Sequence, residues 1–145
     1  MQEKNPGFAT ATEAALTLAS ALDRGDWSAC IMCLTSQCEY EFRGTVSKGA
    51  EDIISSYRVI GEWVEATFES VRYESAVETL GAKVAKISFR DLMEHQGHRL
   101  DFRCQQVITL GDDGLIGKIR HIDIDGMPEK VAEFNKACGV TKPSS

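Results

Sequence analysis

The sequence predicts an α+β fold, and three observations carry that prediction. Apolar residues recur at helical spacing near the start of the chain and again from Ala50 to Ala66. From Phe68 onward the period changes to two and holds through four successive segments. Helices and strands therefore come in blocks, which is the α+β order and not that of a doubly wound parallel sheet.

Each element has its own local cause. Thr10 and Glu13 form a capping box, in which the hydroxyl and the carboxylate each satisfy a free backbone N–H of the first turn. Ala14, Ala15, Leu18, Ala19 and Leu22 follow as the buried stripe, and Gly25 ends the helix. Asp26 is placed to cap a second helix at once, so "RGDW" reads as a tight joint; Trp27, Cys30, Ile31 and Leu34 are that helix's expected stripe. "CEYEFRG", from Cys38 to Gly44, alternates and is rich in aromatics, hence a short strand, with "TVSKG" as the loop behind it. The third helix buries Ile53, Tyr57, Ile60 and Val64, flanked by Trp63.

Four long strands are expected over Phe68 to Thr79, Lys83 to Met93, Arg99 to Leu110 and Leu115 to Asp125. Their connections are short and carry Gly or Asp, which makes an antiparallel meander. Pro128 suits the first turn of a last helix that buries Val131, Phe134 and Cys138 and stops at Gly139, with Asp125 as its expected cap. Residues 1 to about 8 and the "TKPSS" tail are expected to be loose. The chain, 1–145, is expected to form a single domain with a core over about 10–125 and a closing helix over 126–139.

Composition narrows the function classes. Of 145 residues, 43% are hydrophobic, enough for one real core, and the net charge of −6 with no basic stripe argues against a nucleic-acid partner. No segment approaches the roughly 18 apolar residues of a membrane span, and the N-terminus lacks the apolar core of a signal peptide, so a cytoplasmic location is expected. The cysteine count is odd (Cys30, Cys33, Cys38, Cys104 and Cys138), which fits reduced thiols. Cys30 and Cys33 have redox or zinc spacing, but no second ligand pair follows and they lie in a helical pattern; packing is the simpler reading, and no metal or cofactor is expected.

Three stretches, "ALDRGDW", "YEFRGTVSKGAEDIISSY" and "GDDGLIGKIRHIDID", stand in an order that resembles the nuclear transport factor 2-like superfamily, in particular its SnoaL-like and ketosteroid-isomerase-like branches. The resemblance covers about residues 10 to 125. It implies a cone: a curved antiparallel sheet wrapped over the three helices of the N-terminal half, with the C-terminal helix in addition and a largely apolar pocket in the open end. It also implies a homodimer through the outer sheet face. Members include isomerases, polyketide cyclases, dehydratases, epoxide hydrolases and proteins without chemistry. The matching motifs are structural, so they speak for fold more than for activity.

Strand parity then selects candidates. Ala85, Ile87, Phe89, Asp91 and Met93 share one face, as do Leu100, Phe102, Cys104, Gln106 and Ile108; both faces are apolar with one polar exception each, Asp91 and Gln106. An inward carboxylate among apolar groups must be paired or protonated. In "IRHIDIDG" the parity is open. Either Ile122 and Ile124 are core and His121 is wet, or His121 and Asp123 line the cone and the isoleucines meet a second subunit, as the resemblance favours.

His121 is the best general base by type, since its unperturbed pKa of about 6.5 suits proton transfer at neutral pH. Asp123, Asp91 and Glu41 are the candidate acids; Glu41 falls near where steroid isomerases carry an Asp, but the first helix has no tyrosine for their oxyanion. Arg99-x-Asp101 matches the epoxide hydrolase pair only by chance, because it faces away from the apolar side. Tyr40, Phe42, Tyr57, Trp63, Tyr73, Phe89, Phe102, Cys104 and Gln106 are the expected lining. The expected ligand is a small, mostly apolar molecule, handled without a cofactor; the rival is a non-catalytic binding or dimerisation module of the same fold.

Overall fold

The computed structural model describes residues 7–143. Helix α1 (Ala11–Arg24) starts on Thr10, whose hydroxyl accepts from the Glu13 N–H, and stops at Gly25 in the left-handed region. Its buried residues are five alanines and Leu18, so the helix axis lies close to the sheet. Helix α2 (Trp27–Met32) starts on Asp26, which accepts from the Ala29 N–H. It ends sooner than its apolar stripe suggests. Leu34 already belongs to strand β1 (Leu34–Phe42), because the Cys33 carbonyl accepts from Ile116 and draws the chain into the sheet.

The "TVSKG" stretch is not a loop. Thr45–Lys48 is strand β2, paired antiparallel to β1 from Phe42 opposite Thr45 to Glu39 opposite Lys48. All four of its residues are exposed, so there was no hydrophobic alternation to read. Helix α3 spans Ala50–Thr67, and Phe68 is its C-cap and not a strand residue. The meander follows as β3 (Ser70–Thr79), β4 (Val84–His95), β5 (His98–Leu110) and β6 (Ile116–Asp123), all antiparallel. Helix α4 (Met127–Cys138) is capped by Gly126 without a side-chain bond; Asp125 does not cap it. Phe8 is not loose either, since its N–H bonds the Gly114 carbonyl. Residues 1–6, 144 and 145 lie outside the described residues.

The six strands form one curved, unclosed sheet in the order β2-β1-β6-β5-β4-β3, with β1 and β6 parallel. Two apolar clusters sit on its concave side. One joins α1, α2 and the start of α3 to Ala85, Ile87, Ile108, Ile116 and Ile119. The other joins Phe68, Met93, Leu100, Phe134 and Cys138, with Trp63, Val71 and Phe102 against it.

A bulge decides which face of β6 is inward. Thr109 pairs with Lys118 but Leu110 pairs with Ile116, which leaves Gly117 as one extra residue. Ile116 and Ile119 are therefore both fully buried although three apart. Without the bulge, the parity of Ile116 would carry Lys118, Arg120 and Ile122 inside. With it, Ile119, His121 and Asp123 share the concave face, opposite Ile108, Gln106 and Cys104.

Candidate functional site

The concave face brings most of the expected residues together between the two apolar clusters. Gln106 is 2% exposed and is the buried polar residue at its centre. The Tyr57 hydroxyl, reaching down from α3, donates to Gln106 Oε1 at 2.7 Å, and Gln106 Nε2 donates to the Tyr40 hydroxyl at 3.4 Å. This chain satisfies groups that would otherwise be costly to bury. Burial raises both phenols, Tyr40 to about 12, so both stay protonated, Tyr57 donating and Tyr40 accepting.

His121 pairs with Gln106 across β5 and packs its ring against Phe42, centroids 4.7 Å apart. Its side chain is 8% exposed. Nε2 lies 3.0 Å from Asp123 Oδ1, while the buried Nδ1 has no partner. The other side of Asp123 is held by Arg43, through Nε at 2.7 Å and Nη2 at 3.1 Å. That fork lowers the Asp123 pKa, and His121 lowers it further. Asp123 alone would raise the imidazole, but burial outweighs it and the net direction is down. The arrangement is a neutral imidazole on an ionised carboxylate. Nε2 then carries the proton it gives to Asp123, and Nδ1 is the bare acceptor.

Asp91 is the contrasting group. It pairs with Tyr73 on one side and Phe102 on the other. No hydrogen bond or cation meets it among the described residues. Burial, with the Asp23 carboxylate as a lesser cause, pushes its pKa up to about 7. Asp23, at the end of α1, is itself raised by burial, against the hydrogen bond it accepts from Ser75. Tyr73 is raised by burial and by its bond to Glu65. Cys104 lies on β5 between the two corners; burial first, then Asp91 and Asp123, lift its thiol to about 12, which leaves it no nucleophile.

Asp91 and His121 are not a contacting pair. They stand two strands and four rows apart, roughly 15 Å between backbones at ordinary strand spacing. Phe89 packs on the first apolar cluster, while Trp63 and Phe102 belong to the second, Trp63 edge-on to Phe68 at 5.4 Å. Tyr40, Phe42, Tyr57, Phe89, Asp91 and Phe102 all face inward and are only partly buried.

One expected site residue falls outside the set. Glu41 lies on the convex side, since Tyr40 and Phe42 take the inward parity, and its nearest cation is Lys118 at 3.9 Å. It does not join the set. His95 lies edge-on to Phe68, and its Nδ1 is buried without a hydrogen bond. Arg43 went unnoticed, because an exposed arginine before a glycine reads as turn chemistry. Arg99 and Asp101 are exposed on the convex side, where Asp101 serves Arg90 and Arg103. Among the described residues no three potential metal ligands converge. Two surface depressions of about 440 and 380 Å³ lie elsewhere, at the start of α3 and between α4 and β5. No helix is long and apolar enough to cross a membrane.

No protein-family profile matches the chain. No curated protein matches it either. Solved structures do. A protein of Xanthomonas campestris assigned as a polyketide cyclase aligns with TM-score 0.67 at 15% identity, over 90% of this chain and 99% of that one. An LEH-like epoxide hydrolase of Mycobacterium tuberculosis aligns with TM-score 0.60 at 18% identity, over 87% and 92%. An NTF2-like protein of unknown function from Cytophaga hutchinsonii aligns with TM-score 0.61 at 11% identity, over 91% and 97%. The chain thus has the nuclear transport factor 2-like fold; at such identities the likeness extends to the fold and to no activity.

Proposed function

We propose that this protein binds a small, mostly apolar molecule on the concave face and moves a proton on it without a cofactor, as in isomerisation, cyclisation or dehydration. One observation carries the reading: a carboxyl group without a partner, Asp91, shares an aromatic-lined face with a histidine whose free nitrogen is Nδ1. Two titratable groups driven apart by their surroundings are the usual basis of acid and base roles. His121 takes the proton at Nδ1, with Asp123 compensating the imidazolium that forms. Asp91 still holds its proton near neutrality and gives it at the other end of the ligand. Gln106 and the two tyrosines orient a polar group of the ligand between them.

Hydrogen–deuterium exchange tests this. A panel of apolar carbonyl compounds is incubated with the protein in deuterated buffer and followed by NMR. At least one class is expected to exchange the C–H next to its carbonyl, with about 100-fold or greater loss in His121→Gln and in Asp91→Asn. Exchange that both variants retain contradicts the assignment; binding in the panel without any exchange favours the non-catalytic module. The convex sheet face, with Ile122 only partly buried within one chain, supports the homodimer reading; Ile124 lies just past the end of β6. Light scattering is expected to give twice the chain mass, and a monomer at high concentration counts against it.

A further inference from the structure

We infer that Arg43 is a positioning residue: its guanidinium, held out by a strained turn, fixes Asp123 so that His121 presents Nδ1 as the base. The inference rests on the proton-transfer reading for its purpose, but not for its test. It begins at the β1–β2 connection. Phe42 faces Thr45, so the loop is Arg43-Gly44 alone. Both residues have positive φ, 49° and 83°, the signature of a tight hairpin turn that favours Asn-Gly or Gly-Gly. A long branched-head residue such as arginine is disfavoured there, by on the order of 1 kcal/mol. The β4–β5 hairpin repeats the geometry with Gln96-Gly97, at 50° and 81°; both first residues are exposed, but among the described residues the Gln96 side chain has no such partner.

What Arg43 gains is specific. Its two nitrogens fork Asp123 across the β1–β6 pairing, 80 residues away in sequence, and its Cζ lies 4.6 Å from the Phe42 ring centroid. Phe42 in turn packs on His121. The same Asp123 oxygen, Oδ1, receives both Arg43 Nη2 and His121 Nε2. With Oδ1 and Oδ2 both committed, Asp123 cannot rotate away, and the imidazole is held in the tautomer with its proton on Nε2. Backbone strain that persists beside a titratable pair points to function more readily than to stability.

The charged groups around the imidazole are few. Asp123 on β6 favours the protonated ring; Arg43 from the β1–β2 turn and Lys142 from the segment after α4 oppose it, and Gln106 on β5 is neutral. Removing Arg43 therefore leaves Asp123 uncompensated beside His121, and the histidine should hold its proton to higher pH.

Arg43→Asn separates the two roles that Arg43 could have, because asparagine suits the turn. The His121 ring is followed by ¹⁵N NMR across pH, alongside a thermal melt. The expected result is a melting temperature within about 3 °C of the parent, a His121 midpoint roughly half a pH unit or more higher, and ring shifts that show a mixture of tautomers. Arg43→Lys keeps the charge without the fork and is expected to move the midpoint less while still loosening the tautomer. A titration and tautomer unchanged in both variants, whatever the melting temperature does, overturns the inference. Because the ring is read directly, this result is independent of whether any compound in the exchange panel reacts.

Discussion

Asp91 and Asp123 are the same side chain on the same face of one sheet, and they come out opposite. Asp123 sits near the end of β6, where a guanidinium fork and an imidazole meet it, and it stays ionised. Asp91 sits mid-strand on β4, between an aromatic pair, beside another carboxylate and no cation, and its pKa is pushed up to about 7. Residue type therefore says little about role in this cone. What decides it is burial at Asp91, and at Asp123 a cation that reaches the carboxylate from a neighbouring turn. The difference gives the face one fixed charge and one group poised to exchange a proton near neutrality.

The Tyr57–Gln106–Tyr40 chain stands beside His121, and breaking it should have the largest effect. Gln106→Leu leaves two buried phenols without their amide, and is expected to cost about 2–3 kcal/mol in urea denaturation. Asp91→Asn should do the reverse, increasingly as pH rises from 3.8 towards about 7. The folded protein holds the Asp91 proton up to about 7 against 3.8 for an ordinary aspartate, so its contribution is whole below 3.8 and is lost as pH rises through about 7. The variant should thus match the parent below pH 3.8 and exceed it at pH 8 by on the order of 1–3 kcal/mol in thermal melts. Asp123→Asn carries the opposite sign. A lowered carboxyl stabilises above the unfolded value and loses that contribution as pH falls through the folded one. The expected cost is about 1 kcal/mol at pH 7, since the pair is partly exposed, and it shrinks as pH falls below 3.8. Glu41→Gln, on the convex side, should change stability by less than about 0.5 kcal/mol and leave ligand handling untouched.

Much of the fold was legible in the sequence because caps, glycines and periodicity are local. Thr10, Asp26, Gly25 and Gly139 each mark a boundary that the structure keeps. β2 was not legible, since a fully exposed edge strand shows no hydrophobic alternation. Asp91 and Gln106 stood out from sequence alone as polar breaks in apolar strand faces. The face of β6 did not, because it depends on Gly117 being an extra residue in the ladder, which only the pairing with β5 reveals. Nor was Arg43 legible. Its partner lies 80 residues away, and the strain that marks it is a backbone angle and not a residue pattern.

The central claim is that one concave face holds two aspartates in opposite protonation states. Carboxyl ¹³C NMR of the parent protein reads both in one titration. The account predicts that Asp91 titrates near about 7 while Asp123 titrates below 3.8. Two carboxyls that titrate together near the ordinary aspartate value of about 3.9 would contradict it.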